Sequence, residues 1–321
     1  MPRYLARRLL ALLPTLLGVS ILVFAAMRLI PGDIITATLG TEAGMLTETQ
    51  RAALERYYGL DKPPVEQYFV WFGEALRGNL GHSVRHGQPV LQLILGRFPL
   101  TLELAALSML LALLTGLPLG LLAALRHNTW LDFAGRLFAL LGLAIPNFLL
   151  GTLIIFVLSV VFRVLPNAGD YVHLHEDPLR NLQQLFFPAL TLGFAFGGSI
   201  MRMTRSSLLE VLREDYIRTA RSKGLAERRV ILRHSLRNAL IPVLTLVGIE
   251  FGYLLGGAFI VEQIFALPGL GRLTINAIGQ REYALVQGVA LFVALVFLLL
   301  NLAIDLLYAL IDPRIALADH D

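Results

Sequence analysis

The chain has no cysteine among its 321 residues, so it holds no disulfide, no thiolate nucleophile and no cysteine-ligated metal. Lysine is nearly as scarce: Lys62 is followed by Pro63, and Lys223 by Gly224. A phosphate-binding loop needs glycine-rich backbone amides and a Lys followed by Ser or Thr. Neither lysine fits, so any nucleotide-driven work requires an ATPase on another polypeptide. Charge is thin overall. Only 16% of positions are Asp, Glu, Lys or Arg, against 56% hydrophobic, and a soluble protein of this size covers its core with more charge than that.

What the chain does have is apolar blocks of about 20 residues or more, the length a helix needs to cross roughly 30 Å of hydrocarbon. Six spans are predicted, at 9–30, 99–125, 136–162, 187–206, 240–262 and 284–311. The first follows Arg3, Arg7 and Arg8, as a signal peptide would, but its apolar stretch is too long for one. Ala25-Ala26-Met27 is a poor cleavage site and leads into Arg28, so a retained helix is expected. The fold class is therefore an all-α, polytopic helical bundle over 1–321, with both termini on one side of the membrane.

Arginine placement sets that side. Residues 202–237 hold ten of the 27 basic residues, accompanied only by Glu210, Glu214, Asp215 and Glu227. The N-terminus adds three arginines and the 126–136 turn adds Arg126 and Arg136. Segment 31–98 instead sets six basic residues against seven acids, and 163–186 sets two against three. Lys and Arg near span ends favour the cytoplasm. The N-terminus, 126–135, 207–239 and the C-terminus are thus read as cytoplasmic and 31–98 as external. That external segment is too long for a bare connector. Leu46 to Tyr58 has helical spacing, with Thr47 as cap and Gln50 three residues on. Asp61-Lys62-Pro63-Pro64 breaks the chain, and Val65 to Leu76 reads as a second helix. A small helical cap on the outer face is expected.

The most informative stretch is Glu214 to Pro242, EDYIRTARSKGLAERRVILRHSLRNALIP. Its first part is helix-forming, Gly224 permits a left-handed break, and a second amphipathic helix is expected over about 226–238. Pro242 marks the start of the next span. Composition alone leaves two readings open: an elbow that docks a cytosolic partner, or a positive-inside loop resting on anionic headgroups.

The same residues resemble the cytoplasmic coupling loop of binding-protein-dependent ABC permeases, in the form seen in the dipeptide/oligopeptide (peptide/nickel) permease family. Ala220 and Gly224 sit where the general EAA-loop pattern has its last Ala and its Gly. Arg218 and Thr219 depart from that pattern in a way similar to the peptide-permease version. The resemblance extends along the chain, through RLIPGD (28–33), YGLDKP (58–63), GNLGHS (78–83), PLTLEL (99–104), FIVEQIFALPGLG (259–271) and DLLYALIDPR (305–314). Their order is similar to that of the first, B-type, permease subunit.

The resemblance implies a non-catalytic transmembrane subunit of a bacterial inner-membrane importer of di- or oligopeptides. Implied partners are a second homologous permease, two cytosolic ABC ATPases that bind the ATP and Mg, and an extracytoplasmic substrate-binding protein, all in a lipid bilayer. No nucleic-acid partner is expected. The family's transport mode is alternating access, and the implied ATPase-coupling residues are Asp215, Tyr216, Arg218, Ala220, Arg221, Lys223 and Gly224.

Two carboxylates inside apolar spans, Glu250 and Asp305, are functional suspects because an unpaired charge there is costly. They underlie the rival reading, a proton- or ion-coupled secondary transporter; a non-transporting scaffold is a third. Without a His or Lys nearby in sequence they make a poor relay, and carboxyls packed between helices explain them equally well. His82 and His86, flanked by Gly81 and Gly87 with no nearby acid, read as a solvated loop; His173 and His175 share an external loop with Asp170, Glu176 and Asp177. No metal or cofactor site on this chain is expected. Pro118 and Pro146 are expected to bend their spans. Gly193, Gly197, Gly198, Gly248, Gly252, Gly256 and Gly257 are expected to permit close helix contacts.

Overall fold

The computed structural model describes residues 2–29, 35, 44–57, 61–165 and 170–311. An apolar run without water must satisfy its backbone N–H and C=O groups internally, and a helix does so within one segment. The described chain is accordingly helical apart from one small hairpin. In order it forms α1 (Pro2–Leu29), α2 (Glu48–Tyr57), α3 (Pro64–Leu76), β1 (His82–Ser83), β2 (Gln88–Pro89) and α4 (Val90–Leu125). Then come α5 (Trp130–Ala144), α6 (Asn147–Val160), α7 (Pro178–Val211), α8 (Asp215–Ser222), α9 (Glu227–Arg229) and a π-helical turn (Val230–Ser235). The chain closes with α10 (Leu236–Ile264), α11 (Leu270–Gly279) and α12 (Tyr283–Ile311).

Five helical runs are long and apolar enough to cross a membrane: those of α1, α4, α7, α9 through α10, and α12. Helices α5 and α6 pass the same test together but meet at 100°; counted as one broken crossing, they bring the number to the expected six. The break falls at Pro146, as anticipated. A residue before proline is driven out of helical geometry, and Ile145 sits at φ −84°, ψ 118°. At Pro118 there is no break, and α4 runs on through it.

Three boundaries differ from expectation. Helix α4 begins at Val90 rather than 99. Helix α7 begins at Pro178 rather than 187, because the Asp177 carboxylate accepts from the backbone N–H groups of Leu179 and Arg180, each at 3.1 Å. The arm expected over 226–238 does not end before the fifth span but continues into it. The π turn joins α9 to α10, Ser235 Oγ donates back to the Val230 carbonyl at 3.2 Å, and Pro242 lies inside the helix. In the external segment the Thr47 box forms as expected. The Thr47 N–H donates to Gln50 Oε1 at 2.9 Å and the Gln50 N–H donates to Thr47 Oγ1 at 3.3 Å.

The chain divides into two compact units. In the first, residues 1–99 with 269–321, α12 packs on α1 and α11. Its apolar cluster gathers Val90, Ile94, Leu273, Ala277, Leu285 and Val289. His82 and His86 are exposed, as expected of a solvated loop, but the hairpin that carries them is tethered by an acid. Ser83 is buried and donates to Glu282 Oε2 at 2.7 Å, and Glu282 Oε2 stands 3.8 Å from His86 Nδ1. The acid missing from the local sequence is supplied from 199 residues away.

In the second unit, residues 100–268, α7 is the hub on which α5, α6 and α10 pack. Its glycines face backbone. A Cβ on Gly193 would stand 2.8 Å from the Ser108 carbonyl oxygen, and one on Gly198 3.0 Å from that of Ala139. The neighbours reciprocate with glycines of their own: a Cβ on Gly116 would meet the Gly197 carbonyl at 2.7 Å, and one on Gly142 the Phe194 carbonyl at 2.7 Å. The expected seam at 193, 197 and 198 is present, and its partners lie on α4 and α5. Gly256 of α10 is not part of it, since a Cβ there meets nothing within 4 Å. Gly116→Ala is expected to force α4 off α7, costing about 1–3 kcal/mol as overpacking does. Thermal-shift measurement in detergent should show a lowered transition for Gly116→Ala and an unchanged or raised one for Gly256→Ala.

Candidate functional site

The segment 214–238 folds as an elbow with one packed and one open face. In α8, Ile217 and Ala220 are buried with Val230, and Val211 and Leu225 pack against them. Gly224 makes the corner at φ +74°, a left-handed geometry that favours glycine. The Leu225 N–H donates to the Ala220 carbonyl at 3.4 Å across it, the six-to-one bond of a Schellman stop. The return arm is strapped to the first by a two-pronged ion pair. Arg221 Nη2 donates to Glu227 Oε1 at 2.7 Å, and Arg221 Nε donates to Glu227 Oε2 at 3.1 Å. Asn238 Nδ2 donates to Tyr216 Oη at 2.8 Å, tying the start of α8 to α10.

The seven residues singled out by sequence therefore separate. Asp215, Arg218, Lys223 and Gly224 are exposed, with Asp215 and Arg218 paired at 3.2 Å. Tyr216 exposes its ring while its hydroxyl is held, Arg221 is engaged by Glu227, and Ala220 lies on the inner face. Glu227, absent from the sequence-based set, is the acid that closes the elbow. A cleft of about 500 Å³ opens beside α8, among Arg205, Leu209, Arg213, Glu214 and Asp215.

The two carboxylates suspected of a relay fall in different units. Glu250, on α10, is half-buried with the Ser199 hydroxyl of α7 as a hydrogen-bond partner. Asp305 lies on α12, and its side chain is outside the described residues. Three other acids inside helices were passed over by sequence. Glu262 of α10 is fully buried and accepts from Thr101 Oγ1 at 2.7 Å. Glu103 of α4 accepts from Tyr171 Oη at 2.6 Å and from Asn181 Nδ2 at 3.0 Å. Burial, then the Glu103 carboxylate, pushes the Tyr171 phenol above its ordinary range, so Tyr171 is the lasting donor of that bond. The sequence signal for Glu103 and Glu262 was an acid at the end of an apolar run, masked by their use as pieces of longer motifs.

The third acid, Asp132, is fully buried in the first turn of α5. It accepts from Arg205 Nε at 2.6 Å and Arg205 Nη2 at 3.0 Å, and from the Asn128 N–H at 3.0 Å. The Arg205 fork thereby clamps α7 to α5 at the base of the elbow. Removing one partner of a buried pair leaves an uncompensated charge, typically about 3–5 kcal/mol. Asp132→Ala is expected to abolish or sharply reduce folded protein by fluorescence-detected size exclusion. Asp132→Leu with Arg205→Met, which removes both charges, is expected to recover much of it.

Comparison with known proteins agrees with this geometry. Residues 116–317 match the family described as binding-protein-dependent transport system inner membrane component, and residues 1–105 match its N-terminal counterpart. The chain is 42% identical over 316 residues to the glutathione transport system permease protein GsiC of Salmonella choleraesuis (strain SC-B67), covering 98% of this chain and 99% of that one. It is 41% identical over 317 residues to a putative peptide permease protein of Brucella suis biovar 1 (strain 1330), with the same coverage. It is 40% identical over 317 residues to the oligopeptide transport system permease protein AppB of Bacillus subtilis (strain 168), again covering 98% and 99%. Among solved structures, a chain of the MetNI methionine ABC transporter in an inward-facing conformation superposes with TM-score 0.54 at 18% identity, covering 69% of this chain and 97% of that one, a likeness of fold. With an elbow poised between two apolar crossings and family matches along nearly its whole length, the chain belongs to the inner-membrane permease family of binding-protein-dependent ABC transport systems.

Proposed function

We propose that this chain is one half of the translocation pathway of an ATP-driven importer of di- or oligopeptides. The observation that carries the reading is the elbow. Its inner face is packed through Ile217, Ala220 and Val230, its corner is closed by the Schellman stop, and its arms are strapped by Arg221–Glu227. A rigid lever with the exposed charges of Asp215, Arg218 and Lys223 suits a cytosolic ATPase better than it suits loose contact with headgroups. In this reading Tyr216 and Gly224 complete the contact surface, while Ala220 and Arg221 set its shape from within.

The whole chain, 1–321, serves as one permease domain, with 31–98 extracytoplasmic, 207–239 as the cytoplasmic coupling loop, and both termini in the cytoplasm. It works beside a second homologous permease, two ATPases that hold ATP and Mg, and an extracytoplasmic binding protein. It performs no catalysis itself. ATP closes the ATPase pair, the elbow carries that movement into α7 and α10, and the pathway opens outward; hydrolysis returns it. The glutathione and peptide permeases it is similar to support a peptide-sized cargo. The coupling reading has the advantage over a proton relay, because the partner of Glu250 is a serine hydroxyl and not a second titratable group.

The test is reconstitution of the complete complex in proteoliposomes with its binding protein. Arg218→Glu is expected to leave assembly intact and to cut peptide-stimulated ATP hydrolysis and uptake together, by tenfold or more, about 1.4 kcal/mol of lost coupling. Glu250→Gln is expected to transport at an undiminished rate. Uptake that proceeds without ATP and collapses with the proton gradient would sink the importer reading in favour of secondary transport.

A further inference from the structure

Helix α3 belongs to the segment expected to form a cap outside the membrane, yet it does not have the surroundings of a cap in water. None of its residues is buried, although the helix is rich in large apolar side chains. Val65, Phe69 and Leu76 are 68%, 64% and 73% exposed. Its inner face, Tyr68, Trp71 and Phe72, lies against α1. Phe24 of α1 meets Tyr68 edge-on at 5.3 Å and Trp71 at 5.7 Å, and both Phe24 and Ser20 are buried. Ser20 Oγ donates to the Leu17 carbonyl at 2.8 Å, so the Tyr68 hydroxyl donates to Ser20, also at 2.8 Å.

That last bond fixes depth. Ser20 lies at the middle of the apolar window Leu12–Leu29 of α1, and the nine residues from there to Leu29 span about 14 Å of helix at ~1.5 Å each. Held at Ser20 and Phe24 through Tyr68, and at Arg28, which donates to Gln67, α3 lies along the outer half of that window, from its middle to its polar end. The remaining faces of α3 agree. Val65, Phe69 and Leu76 fall at i, i+4 and i+11, one stripe at the helical period. Glu66, Arg77 and Glu74 follow in the next sector, about 100–180° round the helix from Val65, with the exposed Val70 among them; Glu66 pairs with Lys62 at 2.8 Å and Glu74 with Arg77 at 2.9 Å. Three sectors result: one packed on α1, one apolar and uncovered, and one mostly charged. This is the arrangement of a helix lying in a membrane interface, where aromatic side chains concentrate.

We propose that α3 is an interfacial helix seated in a leaflet of the bilayer, with Val65, Phe69 and Leu76 against lipid acyl chains and Glu66, Glu74 and Arg77 toward water. That the leaflet is the outer one rests on the arginine-based orientation; the seat itself does not. The helix then acts as a float that pins the outer end of α1 and sets the height of the external segment above the lipid.

The absence of native cysteine makes the test direct. Single spin labels are placed by Phe69→Cys, Leu76→Cys and Glu74→Cys in the assembled transporter in liposomes, and collision with oxygen and with a water-soluble nickel chelate is measured. The expected result is an oxygen-to-chelate ratio several-fold higher at 69 and 76 than at 74. Ready access of the chelate to 69 and 76 overturns the proposal and returns α3 to water. Exclusion of both probes at 69 and 76 also overturns it, in favour of a protein partner such as the second permease. Should Phe69→Cys fail to assemble, Val65→Cys carries the same reading on the same stripe.

Discussion

Close approach of the α7 backbone to those of α4 and α5 is the constraint on which the second unit depends. In lipid no hydrophobic drive pushes one apolar helix onto another, so association comes from tight packing and interhelical hydrogen bonds. Gly116, Gly142, Gly193 and Gly198 let backbone meet backbone at distances a Cβ would forbid. The same surface then carries polar clamps. Asp132 takes the Arg205 fork at one end of α7, and Glu103 takes Asn181 and Tyr171 at the other. With both ends held and the middle closely packed, α7 is tied to its neighbours along its length.

The elbow is packed directly on that helix. Val211, in the last turn of α7, packs on the cluster of Ile217, Ala220 and Val230, and Ser207 Oγ of α7 donates to the Ala239 carbonyl of α10 at 3.0 Å. The π turn carries the return arm into α10 without a loop, and only the short turn 212–214 separates α8 from α7. A coupling loop needs this close connection, and neither its charge nor its length alone provides it. Short amphipathic arms are ordinarily marginal in isolation; here tertiary packing and an ion pair hold them.

Much of this was legible in the sequence, and the reasons it was legible are physical. Span number follows from hydropathy, because a bilayer sets both length and polarity. The helix break at Pro146, the corner at Gly224 and the Thr47 box are local backbone effects that need no tertiary knowledge. Similarity of whole motifs, not chemistry, is what marks 214–242 as the proposed coupling segment. What stayed hidden was every fact that depends on long-range approach. Glu282 reaches Ser83 and His86 from 199 residues away, Arg205 reaches Asp132 across 73, and Gly116 and Gly142 meet α7 only once the bundle is packed. Ala220 was read as a contact residue from its motif position, whereas Ile217 at i−3 would have indicated that both face inward. The length of α7 before 187 is hidden in the sequence because helix continues into polar sequence once a cap such as Asp177 satisfies its first N–H groups.

Asp132 and Glu262, both buried, and the partly buried Glu103 bear on mechanism more directly than Glu250 and Asp305. A carboxylate serving a proton relay must exchange its proton with a neighbour during the cycle, which requires partners that can hand a proton on. Asp132 is gripped by a guanidinium that stays charged, and Glu103 by a tyrosine whose phenol is pushed further from ionising. Such partners hold a carboxylate in one place and do not hand a proton on. Their locations point the same way. Asp132 and Glu103 lie near opposite ends of helices that pack around α7, and Glu262 lies at the end of α10 with Thr101 at the start of the second unit. Each desolvated acid costs energy unless its partners stay in register, so each penalises sliding of one helix along another more than it penalises movement of the packed group together. Rigid-body motion is what alternating access asks of a permease half, and charged pins at helix ends favour it.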